Sequence, residues 1–247
     1  MYCRLIKVLF VLAIAACLVT PALAGNNWDG VGDWTTDVGN WQGDVLLGPN
    51  GSPNLPNTIN LRSGTVNIDG VGGDEATGLI IDQLLMGHPG TADGGGTAGN
   101  ATLNMTGGIL RIIYPGGTSG KFIGIADNSG ALAVTLSGNA AMSIEQDAGQ
   151  NGIPDFNMLG YGGSGTCCEE TSSSTATVTL SDSATLTVNA PGKFRFGFSS
   201  AVQWGDELAT NAFSVQLNDT SVLTVSSIDL GTGDGVTAQR DFQLNGG

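Results

Sequence analysis

The stretch TVTLSDSATLTV (177–188) shows the pattern that decides the fold. Apolar residues alternate with threonines on both sides of the short polar segment Ser181–Ser183. A period of two, rich in β-branched residues, predicts strands that bury one face. Serine and aspartate bond their own main chain readily, so the polar segment is predicted to be a tight turn. The stretch therefore predicts a strand, a turn and a second strand.

The same unit recurs along the chain, and a second unit follows each copy. Its other copies are INLRSGTVNI (59–68), TLNMTGGILRI (102–112), AVTLSGNAAMSI (133–144) and SVQLNDTSVLTV (214–225). The second unit is a short apolar strand that closes on a glycine: Gly87, Gly124, Gly160, Gly197 and Gly231. These glycines are spaced by 37, 36, 37 and 34 residues, so the chain is built from internal repeats.

Each repeat reads as three strands followed by a loop of variable length. Three strands per repeat is the cross-section of a right-handed parallel β-helix, in which stacked coils bury a continuous core. Residues 59–247 are therefore predicted to form an all-β solenoid with about five coils of 34–37 residues. Phe242–Asn245 begins a sixth copy, so we expect the array to continue or a partner to cover the open coil. A β-sandwich or a propeller is the competing architecture, because both also contain short strands at regular spacing.

Residues 25–58 differ from the repeats and contain Trp28, Trp34 and Trp41. A solenoid needs its first coil covered, and clustered tryptophans usually bury, so this segment is predicted to be an N-terminal cap. The alternative is that the rings stack on sugars. In that case these three tryptophans are the candidate glycan-binding residues.

Residues 1–24 are typical of a secretory signal peptide. A basic start precedes the apolar stretch Val8–Val19, and Ala22–Ala24 supplies small residues for the peptidase. Cleavage is predicted after Ala24, which leaves no transmembrane segment in the mature chain. A lipobox-like sequence, Ile14–Cys17, gives a lipid anchor at Cys17 as the alternative.

The charge balance excludes one class of partner. Eight basic residues stand against 22 acidic ones, for a net charge of −14. Phosphate recognition rests on lysine and arginine, so nucleic acid is not an expected partner. With an export signal, the expected location is outside a bacterial cell or on its surface, and the expected partners are extracellular glycans or other surface proteins.

The tryptophan-containing opening WDGVGDW (28–34) and the repeats SGTVNI (63–68), TGGILRI (106–112) and LSDSATLTV (180–188) carry a resemblance. They resemble secreted bacterial β-helix proteins, including autotransporter-type passenger domains and PEP-CTERM-associated surface proteins. The resemblance covers about residues 26–247 and is one of repeat style. It implies a β-helix fold and a role in surface display, adhesion or matrix building. It carries over no catalytic residue.

Residues able to carry chemistry are scattered. The lone histidine, His88, lies in a glycine-rich segment without an evident triad partner. Lys193 and Arg195 either neutralise an acid or decorate the exterior, and decoration is the preferred interpretation. The carboxylates on strands or loop edges that would suit a glycosidase are Asp127, Glu145, Asp147 and Asp155. We expect them to stay apart. Their convergence beside Lys121 or Arg195 would favour an enzyme.

Metal and disulfide chemistry is not indicated either. Calcium prefers oxygen ligands, and Asp-Gly pairs at 29–30, 69–70, 93–94 and 234–235 would supply some. None matches a known calcium loop, so these pairs are predicted to be turns, and no cofactor is expected. Cys167 and Cys168 are adjacent and are interpreted as a loop pair rather than a zinc site.

Three functions are compatible with these patterns. The preferred hypothesis is an exported structural or adhesive repeat protein without catalytic activity. The alternatives are a polysaccharide-active β-helix enzyme, a lyase or a hydrolase, and a glycan-binding module that uses the three tryptophans.

Overall fold

A computed structural model describes residues 26–33, 41–42, 58–71, 78–86, 100–114, 123–125, 131–146, 155–160, 175–199, 210–229 and 237–246. In these ranges the chain forms eighteen strands and no helix, so the all-β prediction is confirmed for them. The strands are β1 (Asn26–Asp33), β2 (Trp41–Gln42), β3 (Thr58–Ile68), β4 (Leu79–Ile81), β5 (Gln83–Met86), β6 (Ala101–Met105), β7 (Ile109–Tyr114), β8 (Ile123–Ile125), β9 (Ala131–Leu136), β10 (Ala141–Gln146), β11 (Phe156–Gly160), β12 (Thr175–Leu180), β13 (Thr185–Val188), β14 (Phe194–Ser199), β15 (Thr210–Asn218), β16 (Val222–Val225), β17 (Ile228–Asp229) and β18 (Thr237–Asn245).

The strands β3 to β18 form three ladders of parallel strands, and successive strands of the chain join the first, second and third ladder in a fixed order. The first ladder is β3-β6-β9-β12-β15-β18, the second is β4-β7-β10-β13-β16, and the third is β5-β8-β11-β14-β17. The third ladder joins the first through β3, where Thr58–Leu61 pair with Gln83–Met86. From β3 to β17 the chain therefore adds one strand to each ladder in turn, and within a ladder each inner strand pairs with the strands three before and three after it in chain order.

The core consists of columns of equivalent apolar residues. In the first ladder Val66, Leu103, Val134, Val178 and Val215 are consecutive register partners, and all are fully buried. Neighbouring strands in a sheet are about 4.8 Å apart, so these side chains pack directly on one another. Buried and half-buried positions alternate along the strands, as the period-two pattern predicts.

The repeat is less regular than the closing glycines predict. Register partners in the first ladder are separated by 27 to 44 residues along the chain. Gly124 pairs with Asn157, and Gly160 pairs with Ser199, so the glycines are not equivalent positions. The spacing of 34–37 residues therefore gives the average length of a repeat but not its register.

The first copy, INLRSGTVNI, does not form the predicted strand, turn and strand. It is one continuous strand, β3, whose first part pairs with β5 and whose second part, Gly64–Ile68, pairs with β6. β1 runs parallel to β3 along almost its whole length, and a register shift accommodates the polar segment, with Asp29 opposite Ser63. Because a neighbouring strand pairs on both sides of this point, the segment stays extended as a bulge instead of turning.

Residues predicted to lie in the N-terminal cap contribute two strands of their own. β1 extends the first ladder in parallel beyond β3, and β2 pairs with β1 in the antiparallel sense. The pair Asp29–Gly30, which the sequence predicts as a turn, lies inside β1. The assignment of residues 25–58 as a cap stays a prediction.

The turns between the first and second ladders stack in the same way as the strands. Ser181 N donates to Leu136 O at 2.9 Å, and Thr220 N donates to Asp182 O at 3.0 Å. Two carboxylates reinforce the stack: Asp182 Oδ2 accepts a hydrogen bond from Gly138 N at 2.8 Å, and Asp219 Oδ2 accepts one from Asp182 N at 3.2 Å. The stacked turns thus continue the hydrogen bonding between repeats where the strands end.

Close stacking leaves no room for a side chain at Gly138. A Cβ built there would lie 2.4 Å from the carbonyl oxygen of Thr106, and the residue has a φ of +61°. We expect Gly138→Ala to lower the free energy of unfolding by roughly 1–3 kcal/mol, because the turn must move away from its neighbour. Urea denaturation measures this. The control is Asn189→Ala at an exposed turn position, and equal stability of the two variants would contradict the stacked-turn geometry.

Candidate functional site

The structure places two of the three candidate tryptophans side by side in the backbone. Trp28 in β1 and Trp41 in β2 are Cα partners of the antiparallel pair, and Trp28 is also the register partner of Leu61. Trp34 lies outside the described residues. The backbone register therefore brings Trp28 and Trp41 together, and glycan stacking at these residues stays a prediction.

Several other residues that the sequence singles out also lie outside the described part of the chain. They are His88, Lys121, Asp127, Asp147, Cys167, Cys168 and the Asp-Gly pairs at 93–94 and 234–235. Asp69, in the described Asp-Gly pair at 69–70, accepts a hydrogen bond from Val71 N at 2.7 Å, as expected of a turn.

An ionic cluster in the third ladder consists of Asp155, Arg195 and Asp229. The Nη2 atom of Arg195 lies 3.0 Å from Asp155 Oδ2, and its Nε atom lies 4.0 Å from Asp229 Oδ2. Asp155 Oδ1 also accepts a hydrogen bond from Lys193 N at 2.8 Å. Arg195 therefore neutralises an acid, and its interpretation as surface decoration is wrong.

Strand register explains how this cluster arises. Arg195 is the Cα partner of Asn157 on one side and of Asp229 on the other. Asp229 therefore occupies in its repeat the position that Arg195 occupies in the preceding one. Sequence reasoning missed Asp229, although the alignment of FRFG (194–197) with IDLG (228–231) places the aspartate and the arginine at the same position.

The ion pairs of the Arg195 cluster join neighbouring repeats. Asp155 is only 8% exposed, and a buried carboxylate needs both a counter-charge and hydrogen bonds. Beside the cluster the rings of Phe156 and Phe194 stack, with centroids 4.9 Å apart and an angle of 11° between their planes. A glycosidase holds its two carboxyl groups on either side of a sugar. Here two carboxylates face one guanidinium instead.

A second ionic pair, Arg111 with Glu145, joins β7 to β10 on the outer side of the second ladder. Arg111 Nε donates to Glu145 Oε1 at 2.8 Å, and Arg111 Nη2 donates to Glu145 Oε2 at 2.6 Å. Ser143 Oγ donates to Glu145 Oε1 at 2.6 Å. The hydrogen bonds from Arg111 hold the pKa of Glu145 below its ordinary value despite partial burial, and the same pair raises the pKa of Arg111.

This lowered pKa gives a definite dependence of stability on pH. A carboxylate whose pKa is lowered by folding adds stability above its unfolded pKa of about 4.3, and that stability is lost as the pH falls through the folded pKa. Solvent screens the pair, because the side chains of Arg111 and Glu145 are 41% and 22% exposed. The ion pair between Arg111 and Glu145 therefore contributes under about 1 kcal/mol to the free energy of unfolding.

We expect Glu145→Gln to lower the free energy of unfolding at pH 7 and to have no effect once the pH is below the folded pKa. Urea denaturation of both proteins between pH 7 and pH 3 measures the difference. In an Arg111→Gln background, the Glu145→Gln change should have a smaller pH-dependent effect on stability, because the largest cause of the lowered Glu145 pKa is then absent. Parallel stability curves for the wild type and Glu145→Gln would contradict the pairing.

The outer polar face of the first ladder is a regular surface formed by described residues in register. It consists of ten half-buried positions in register, two from each of five strands: Thr65, Asn67, Thr102, Asn104, Ala133, Thr135, Thr177, Thr179, Ser214 and Gln216. None of the ten carries a charge. Asn104 Nδ2 donates to Asn67 Oδ1 at 3.0 Å, and Asn67 Nδ2 donates to Gly32 O at 3.2 Å.

Hydroxyl and amide groups both donate and accept hydrogen bonds. The rows of this face therefore suit an uncharged, hydrogen-bonding partner with an extended shape. In the described residues, no three histidine, cysteine, aspartate or glutamate side chains gather in a way that would hold a metal ion. The same residues include no helix with the length and apolar character needed to cross a bilayer.

Comparison with known proteins assigns the chain to no family. No protein-family model matches the chain, and no curated protein or solved structure is detectably similar to it.

Proposed function

We propose that the three ladders are the three faces of a right-handed parallel β-helix. Parallel pairing in all three ladders, with one strand from each repeat in a fixed order, supports this architecture. Connections between parallel strands of one sheet are nearly always right-handed, which supports the handedness.

We further propose that this protein is an exported structural or adhesive protein of a bacterial surface or extracellular matrix, without catalytic activity. The observation that carries the proposal is the outer polar face, an uncharged and regular surface on a chain with a net charge of −14. Its expected partner is a neutral extracellular glycan, because anionic polymers would be repelled by the acidic remainder of the molecule. The sequence of residues 1–24, which is typical of a secretory signal peptide, supports the proposal of export.

The Arg195 cluster favours a second candidate, a polysaccharide-active enzyme. There two carboxylates approach a single cation, Asp155 at 3.0 Å and Asp229 at 4.0 Å. Such an enzyme would need Asp155 to exchange its bond with Arg195 for a contact with substrate. The mutual neutralisation of these charges makes this the weaker candidate.

Binding to insoluble neutral polysaccharides tests the adhesive function. Thr179 lies on the outer polar face in β12, whereas Thr187 lies on the outer side of the second ladder in β13 of the same repeat. We expect Thr179→Glu to lower the retained fraction at least about tenfold, because a carboxylate on this face must be desolvated on contact, a cost above about 1.4 kcal/mol. Thr187→Glu is the matched control with the same change of charge and should bind as the wild type does.

Equal binding by the two variants would contradict a role for the outer polar face. A reducing-sugar assay on the same samples tests the enzyme, since release that disappears in Asp155→Asn would replace the adhesive proposal with a catalytic one. Mass spectrometry of the mature N-terminus tests export. Cleavage after Ala24 is expected, and a lipidated Cys17 would establish the anchored alternative.

A further inference from the structure

The outer polar face is long in the direction of stacking and narrow along its strands. Its ten positions come from five consecutive strands of the first ladder, and no register shift interrupts the pairing from β3 to β15. Neighbouring strands are about 4.8 Å apart and alternate residues of one strand about 6.6 Å apart, so the face extends roughly 19 Å along the stack and roughly 7 Å across it. A ligand that contacts the whole face is therefore extended, with its long axis across the strands.

Acidic residues border this face at both ends and along one side. Asp33 and Asp241 occupy the next register positions beyond its two ends. Asp182 and Asp219 follow β12 and β15 in the stacked turns, and both residues are exposed. An anionic polymer lying along the face would meet these carboxylates, so the arrangement of charge favours a neutral ligand.

Hydrogen-bonding groups on this face are held in place before any ligand arrives. Asn104 donates to Asn67 at 3.0 Å, and Asn67 donates to the carbonyl oxygen of Gly32 at 3.2 Å, so both amides are oriented along the stack. Half of the ten residues are threonines, whose branched side chains have few accessible rotamers. Little side-chain freedom is lost on contact, which lowers the entropic cost of binding.

The side chains of this face give a ligand many small contacts and no dominant one. None of the ten residues is aromatic, so no ring is available to stack on a single sugar. Each strand offers only two side chains to the ligand. Affinity then comes from many weak contacts made by one molecule, as in multivalent binding. The ligand is therefore expected to be a polymer whose affinity rises with chain length.

We propose that the outer polar face binds an extended, neutral, β-linked polysaccharide such as cellulose or chitin, whose chain runs along the stack with one sugar per strand. One sugar ring of such a chain has nearly the same length as the separation of neighbouring strands, about 4.8 Å. Successive sugars therefore meet equivalent pairs of side chains, and their hydroxyls bond the hydroxyl and amide groups of the face. The α-linked glucan of starch winds into a helix, so its hydroxyls leave this register. Within the proposed adhesive function, on which this proposal rests, the ligand is thereby narrowed to one class.

Binding isotherms of the mature chain on cellulose, chitin and granular starch test the class of ligand, because all three are insoluble and neutral. The apparent Kd on cellulose or on chitin should be at least about tenfold lower than on starch. Equal or tighter binding to starch would overturn the choice of an extended β-linked chain and leave the adhesive function standing. Retention on none of the three polymers would overturn both.

Competition with soluble oligosaccharides tests the direction of the chain. At equal concentrations of sugar units, cellohexaose or chitohexaose should displace the wild type from the matching polymer. Cellobiose or chitobiose should not, because a disaccharide covers only two strands of the face. Equal displacement by the disaccharide and the hexasaccharide would contradict a chain that runs along the stack. The competition uses only the wild type, so it does not depend on how a substitution affects folding.

Substitutions two strands apart test the same geometry independently. Thr102→Glu in β6 and Thr177→Glu in β12 should each raise the Kd for the hexasaccharide at least about tenfold, since one chain covers both strands. Thr187→Glu, on the outer side of the second ladder, is the matched control and should bind as the wild type does. Loss of binding in only one of the first two variants, or equal loss in the control, would contradict the proposal.

Discussion

In-register stacking of each repeat on the next is the constraint on which the rest of the structure depends. One repeat contributes a strand of two to eleven residues to each ladder and cannot bury its apolar face alone. Stacking supplies the missing surface, since equivalent residues such as Val134 and Val178 pack together and their backbones pair. Side-chain burial and backbone hydrogen bonding are therefore satisfied by the same contact, and neither is available to an isolated repeat.

The same constraint explains the polar features of the fold. Glycine is needed at Gly138 because the carbonyl oxygen of Thr106 in the neighbouring turn lies directly against it, and on the other side the carboxylate of Asp182 accepts a hydrogen bond from Gly138 N. A buried Asp155 is tolerated because Arg195 from the next repeat neutralises it. These polar residues are thus paired between repeats. The stacking that forms the fold therefore also forms the Arg195 cluster.

The sequence predicts what is local and misses what depends on neighbours. Alternation in TVTLSDSATLTV predicts β12, the turn and β13, because each is set by nearby residues. The turn predicted in INLRSGTVNI is absent, because pairing with β1 holds that segment extended. Sequence reasoning likewise singled out Asp155 and Arg195 separately. Their contact requires the register of β11 against β14, which closing glycines at variable positions do not give.

Disulfide trapping across the first ladder tests in-register stacking most directly. Thr135 and Thr179 are 44 residues apart in sequence but are Cα partners in β9 and β12. Their Cα atoms are therefore about 4.8 Å apart, within the range that a disulfide spans. In a background with the native cysteines changed to serine, Thr135→Cys with Thr179→Cys should cross-link almost completely under mild oxidation, and Thr135→Cys with Thr187→Cys should not. No cross-link in the first pair, or equal cross-linking in both, would contradict stacked parallel repeats.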